Sequence, residues 1–312
     1  MPAALPRHSL DLPGSLQQSV SRLKEFEYSA PKTITEAIAL LAGGAHPLAG
    51  GTDLIVQMRE GRRPVGHIVD VKRIPELTAV AETPDGGLRV GAALSVTAMA
   101  AHPAMASYLA LIESGRMIGS YQIQNRASIG GNVCNAAPSA DAIPALICLG
   151  ARVAIAGPQG GREALVESLF ERPGRTRLGK GELVTSIVLP SPPARSAAKY
   201  LRFTPRREMD IAVAGAGAWL RLDDRGIVTE ARIALAAVAP TPVRAPSAER
   251  RLVGEKPSAL LLDEAGSLAA QDAQPISDTR GSARYRQELV RVLTRRALAD
   301  CCAQLGNPII VG

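Results

Sequence analysis

Aromatic side chains are scarce in this 312-residue chain: three Phe, five Tyr and one Trp, 3% of the total. A nucleic-acid surface built on base stacking needs exposed rings, so that class is poorly supplied. Cysteine is sparse too. Cys134, Cys148, Cys301 and Cys302 form no CxxC pair, and their spacing suits neither zinc nor iron–sulfur ligation. His8, His46, His67 and His102 show no metal-ligand spacing. No apolar run reaches the roughly 18 residues that a membrane span needs. No charged segment followed by a long apolar one opens the chain, so no export signal is expected. Few cysteines and no such signal point to a reducing, cytoplasmic compartment. No GxxxxGK loop followed by Ser or Thr exists, which argues against ATP. No run of five like charges occurs. The formal charge of +7 is spread over pairs such as Arg62-Arg63 and Arg250-Arg251. It reads as a solvated basic surface, which would also help to hold an anionic cofactor or an acidic partner.

What is present is ordinary for a folded soluble protein: 46% hydrophobic and 21% charged residues. The length exceeds one usual core, so two or three subdomains are expected. Residues 1–24 carry prolines and weak periodicity and read as a flexible tail or a partner-docking arm. Residues 25–85 read as a small α/β unit, with a helix capped by Thr33 or Thr35, strands at 46–49 and 67–71, and a helix-like stretch at 53–59. Residues 86–195 follow as a second lobe. It has strands at 87–91, 151–155 and 183–189, helices at 96–101 and 104–112, and an apolar helix at 141–149. Residues 197–312 read as a sheet followed by three helices, at about 246–253, 257–273 and 282–305. Asp223-Asp-Arg-Gly226 joins two of its strands in a hairpin. Gly215-Ala-Gly217 imitates the start of a dinucleotide fingerprint but lies in this hairpin region, without the strand–turn–helix context.

Two glycine-rich segments about 80 residues apart stand out. One is Leu48, Ala49, Gly50, Gly51, Thr52, Asp53 and Leu54. The other is Ser128, Ile129, Gly130, Gly131 and Asn132, running on through Asn135 to Asp141. Taken singly, a Gly-Gly pair reads as a turn. Taken together, paired glycines beside small hydroxyl and amide side chains suit a diphosphate held by backbone N–H groups, and hence a dinucleotide.

These segments resemble those of the FAD-binding (medium) subunit of the molybdenum hydroxylases, the family of carbon monoxide dehydrogenase and xanthine dehydrogenase. Phe26–Pro31, Thr35–Leu41, Gly181–Pro190, Val238–Ala245 and Ile276–Arg286 resemble further parts of it, so the likeness covers residues 24–312. It implies an α+β chain. A two-lobed FAD-binding domain of the PCMH/vanillyl-alcohol-oxidase type would span 25–195, with lobes at about 25–85 and 86–195. A C-terminal domain of an antiparallel sheet plus a helical bundle would span 197–312.

The resemblance also implies roles. Ala49 to Asp53 would wrap the diphosphate, and Ser128, Gly130, Gly131 and Asn132 would meet it and the ribityl chain from the other side. Asp141 would accept from a sugar or ribityl hydroxyl, or else cap the helix after it. Leu183 and Val184 would pack on the isoalloxazine. Arg202 falls where several relatives have lysine near the flavin. Arg206–Asp210 matches a loop over the flavin's open face in relatives, and reads equally as a charged hairpin. FAD would be bound non-covalently. Molybdopterin would sit on a large partner subunit and two two-iron two-sulfur clusters on a small one, as a dimer of heterotrimers. Electrons would pass through FAD to an external acceptor, with no general base or nucleophile on this chain. The alternatives are a self-sufficient FAD oxidase or dehydrogenase of the same fold, or a non-enzymatic protein that keeps it.

Overall fold

A computed structural model describes residues 23–206 and 209–311. The expected N-terminal extension falls almost wholly outside the described residues, and the 206–210 segment does so in part. The first sheet is parallel: β1 (Glu27–Ser29), β2 (His46–Leu48) and β3 (His67–Asp70) pair in the order β1-β3-β2. Parallel strands of one sheet need crossover connections. Helix α1 (Ile34–Ala42) supplies one, starting where the Thr33 hydroxyl accepts the Glu36 N–H. Its Ala37 and Leu41 pack with Val69 and Ile74. A short helix, α2 (Leu54–Arg59), follows β2.

The second sheet is antiparallel. It contains β4 (Val80–Glu82), β5 (Leu88–Gly91), β6 (Arg152–Gly157) and β7 (Gly160–Leu165). After a two-stranded hairpin of β8 (Phe170–Arg172) and β9 (Arg175–Thr176), β10 (Leu183–Leu189) returns to the middle, giving the order β4-β5-β10-β6-β7. Helices α3 (Val96–Ala101), α4 (Leu109–Arg116), α5 (Tyr121–Gln124), α6 (Ile129–Asn135) and α7 (Ala142–Cys148) lie between β5 and β6 in sequence. They share one core with this sheet, in which Val96, Met99, Ile143 and Leu146 meet Val153, Ile155 and Ile187.

The third sheet, β11 (Ser196–Phe203), β12 (Ala214–Leu222), β13 (Val228–Ala236) and β14 (Val243–Arg244), is antiparallel in chain order. Helices α8 (Pro246–Leu252), α9 (Ala259–Asp272) and α10 (Ala283–Gln304) bury Leu262, Ala265, Val290 and Leu298 with Leu220, Ile233 and Leu235. The whole is α+β.

Helix α7 ties this part to the second sheet. Its sequence, Ala-Ile-Pro-Ala-Leu-Ile-Cys, is apolar on every face, and all seven residues are buried. A helix with no polar stripe must be covered all round. Core packing on one side and β12 and β13 on the other cover it. The Gly215-Ala-Gly217 run belongs to that contact. A Cβ on Gly217 would stand 3.0 Å from the Pro144 carbonyl oxygen and 3.1 Å from Cys148 Sγ. The glycine lets the strand lie close on the helix, and no phosphate-binding turn forms there.

Strong periodicity located most elements, but the helix expected at 104–112 is a 3-10 turn at Pro103–Ser107 followed by α4. Strand β4 joins the second sheet although the first unit was drawn to residue 85. Two further kinds of segment differ from the sequence reading. The second glycine segment, read as a loop, is the first turn of α6. Ser128, extended at φ −125° and ψ 155°, caps it by accepting the Gly131 N–H. Tertiary packing overrides the low helix propensity of Gly130-Gly131. Strands β4, β8, β9 and β14 went unread because they are short, and β7 because it is largely exposed, with little alternation.

Gly217→Val is expected to cost about 1–3 kcal/mol by overpacking the β12–α7 contact. A urea midpoint that falls at unchanged m-value would show it.

Candidate functional site

The two glycine segments face each other across one cavity of about 620 Å³. The loop after β2 supplies Leu48 to Leu54, and α6 with its cap supplies Ser128, Gly130, Gly131, Asn132 and Asn135. Leu183 and Val184 close it from β10. The loops touch directly. A Cβ on Gly50 would lie 2.1 Å from the Arg126 carbonyl oxygen and 2.8 Å from the Ala127 Cα. No side chain can occupy that space, since the obstruction is backbone. Gly130 does the same for α6, where a Cβ would lie 2.4 Å from the Ala92 oxygen. Gly51 has φ +76°, a conformation that suits glycine. A side-chain bond reinforces the seam: Gln57 Nε2 of α2 donates to Asn135 Oδ1 at 3.0 Å.

The polar accounting of this cavity is incomplete in a specific way. Among the described residues, no hydrogen bond uses the backbone N–H of Gly50, Gly51, Thr52 or Asp53. The Asn132 Oδ1 is buried without a partner. Buried polar groups are normally paired, so consecutive open donors and a buried orphan acceptor mark a place for a polar ligand. Arg63 and Lys180 also line the cavity and add positive charge. Cys134 lines it as well, but burial pushes its thiol up to about 12, so it remains protonated and a poor nucleophile.

Comparison with known proteins bears on what that ligand is. A family model described as the FAD binding domain in molybdopterin dehydrogenase matches residues 24–192. One for the CO dehydrogenase flavoprotein C-terminal domain matches residues 199–301. This chain belongs to that flavoprotein family. It is 32% identical over 286 residues to the putative xanthine dehydrogenase FAD-binding subunit of Escherichia coli (strain K12), a match covering 90% of this chain and 98% of that one. It is 35% identical over 287 residues to the carbon monoxide dehydrogenase medium chain of Afipia carboxidovorans, with the same two coverages. Among solved structures, a carbon monoxide dehydrogenase from Hydrogenophaga pseudoflava superimposes with a TM-score of 0.87 at 31% identity, covering 91% of this chain and 99% of that one. This flavoprotein is therefore an oxidoreductase subunit of the carbon monoxide and xanthine dehydrogenase type.

Three residues singled out from the flavoprotein's sequence lie off the cavity. Ile129 is a core residue, 3% exposed. Asp141 does not cap α7: its backbone is already helical, at φ −66° and ψ −35°, and its side chain makes no cap bond. Both its oxygens are taken instead. The Tyr200 hydroxyl donates to Oδ1 at 2.8 Å, and Arg202 Nη1 donates to Oδ2 at 2.5 Å. Arg202 lines a second cavity of about 690 Å³ with Thr97, Arg116, Tyr121 and Thr204. The two cavities share the Met117–Gly119 turn, with Ile118 on the first and Met117 and Gly119 on the second. Sequence reasoning missed the β8–β9 hairpin (Arg172, Gly174, Arg175, Thr176) and the run from Leu178 to Glu182, which line the first cavity. The Gly174 and Gly181 turns were the available signal, both at positive φ.

Burial lifts the Asp141 carboxyl from 3.8 to about 6, against the pull of Arg202 and Tyr200. A carboxyl raised in the folded state holds its proton where the unfolded chain has lost it. Its contribution to stability is therefore present below pH 4 and is lost as pH rises through 6. Between pH 7 and pH 4 the protein is expected to gain up to roughly 3 kcal/mol relative to Asp141→Asn. Unfolding midpoints of both across that range would check it, and parallel curves would contradict it.

Proposed function

We propose that this chain is the electron-transfer subunit of a three-component molybdenum hydroxylase, holding FAD non-covalently in the first cavity. The observation that carries the reading is the set of open N–H groups from Gly50 to Asp53 opposite the unpartnered Asn132 oxygen. The residues present fit FAD. The Gly50, Gly51, Thr52 and Asp53 amides and the Thr52 hydroxyl would hold the diphosphate. Asn132 Oδ1 would accept from a hydroxyl or amine of the cofactor. Leu183 and Val184, both nearly fully buried, would give the ring system an apolar wall. Arg63 and Lys180 would offset the diphosphate charge. His46, which also lines the cavity, is kept neutral by burial and by Arg63 and would add no charge there. With Cys134 held as a thiol, the cavity offers no thiolate for a covalent link. Bound FAD would accept electrons and pass them on.

The electrons would come from two-iron two-sulfur clusters on a small partner subunit. Molybdopterin on a large one would perform the hydroxylation, in a cytoplasmic dimer of heterotrimers. The self-sufficient oxidase needs its C-terminal part to roof the flavin. Among the described residues, none beyond Val184 lines the first cavity, and the C-terminal helices cover their own sheet.

Co-expression with its partners and purification by a tag on this chain should yield one flavin and one molybdenum for every four irons. Flavin alone, bleached by a substrate, would favour the self-sufficient oxidase. Asn132→Leu should weaken FAD roughly ten- to hundred-fold while leaving the flavin-free protein as stable or slightly more so, because it removes an orphan acceptor. Flavin titration and thermal melts of the same preparations would show both effects.

A further inference from the structure

The open N–H groups of the first glycine loop are aimed by a side chain outside the cavity. Lys72 follows β3 and does not line the cavity. Its Nζ donates to the Ala49 carbonyl oxygen at 2.7 Å and to Asp70 Oδ1 at 2.7 Å. Asp70 is fixed in turn: its Oδ1 also accepts the Lys72 N–H at 2.9 Å, and its Oδ2 accepts the Tyr28 hydroxyl at 2.8 Å. Asp70 is 7% exposed, yet despite that burial the Lys72 and Tyr28 bonds keep its carboxyl below the usual range. The ammonium therefore has an anionic anchor on one side and a backbone carbonyl on the other.

The carbonyl it holds belongs to the peptide unit that carries the Gly50 N–H. In a planar trans peptide, C=O and N–H point in opposite directions. Drawing the Ala49 oxygen towards Lys72, off the cavity, turns the Gly50 N–H the other way. Gly50 can reach Arg126 and Ala127 only as glycine, and glycine by itself leaves the backbone loose. Something else must set the orientation of that peptide, and Lys72 is the group bonded to it.

We propose that Lys72 is a positioning residue for the diphosphate of the bound dinucleotide. This rests on the reading that FAD occupies the first cavity. Lys72 never touches the cofactor. It sets the direction of the first N–H in the loop and thereby the geometry of those that follow.

The test uses the full-length chain, stripped of flavin and reloaded with FAD, with Lys72→Met, which keeps most of the stem and removes the donor. Affinity is expected to fall roughly ten-fold, the size of one charge-assisted hydrogen bond. At saturating FAD the phosphorus NMR resonances of its diphosphate should move. The unfolding midpoint of the flavin-free protein should fall, because Asp70 loses its cation, but stay well above the temperature of the titration, and Lys72→Arg should restore much of the affinity. Unchanged phosphorus resonances, or an affinity loss that comes only from unfolding at that temperature, would overturn the inference while leaving FAD binding intact. No FAD binding by the unsubstituted chain would overturn both. If Lys72→Met does not fold, Lys72→Gln is measured in the same way, with the same outcomes deciding.

Discussion

The backbone of Gly50 lies against the backbone of Arg126 and Ala127, and the cavity depends on that contact. Two lobes with different sheets, one parallel and one antiparallel, meet there. Neither forms the cavity alone: the first gives the loop after β2, and the second gives the α6 terminus and one strand of its central sheet. A single added carbon at position 50 would fall 2.1 Å from a carbonyl oxygen. Flexible side chains can move aside, but two backbones in contact cannot without parting the loops. The Gln57–Asn135 bond and the packing of Gly130 on Ala92 then hold the lobes in one relation.

The glycines thus serve two purposes that sequence alone conflates. Their pairing suggested close approach to a ligand. Gly50 and Gly130 instead permit close approach of protein to protein, which brings N–H groups and the Asn132 side chain to one place. In the proposed reading the ligand-facing chemistry would fall to the amides of residues 50–53, which a backbone N–H supplies whatever the residue type. Leu183 and Val184 were legible only through the family resemblance, because β10 does not alternate there: both are buried, and the register shifts between Val184 and Ser186. Lys72 was not legible: its role runs through a carbonyl 23 positions earlier, and no local pattern marks it. The Asp141–Tyr200–Arg202 cluster was half legible. Both charged residues were noticed, but their pairing joins α7 to β11, a contact that exists only because an entirely apolar helix must be covered on its far side.

That arrangement also separates labour within the chain. The C-terminal sheet and helices form their own core and reach the rest of the chain largely through α7. They contribute none of the described residues of the first cavity. In the proposed reading this chain would cradle the dinucleotide and relay electrons. The reacting substrate would then belong to another subunit of the complex.

The most direct measurement is an experimental structure of the flavin-loaded complex at a resolution that places the phosphates. The account predicts diphosphate oxygens within hydrogen-bonding distance of the N–H groups of residues 50–53, with Asn132 Oδ1 accepting from the cofactor. A diphosphate lying in the second cavity beside Arg202, or loop amides left facing solvent, would contradict it.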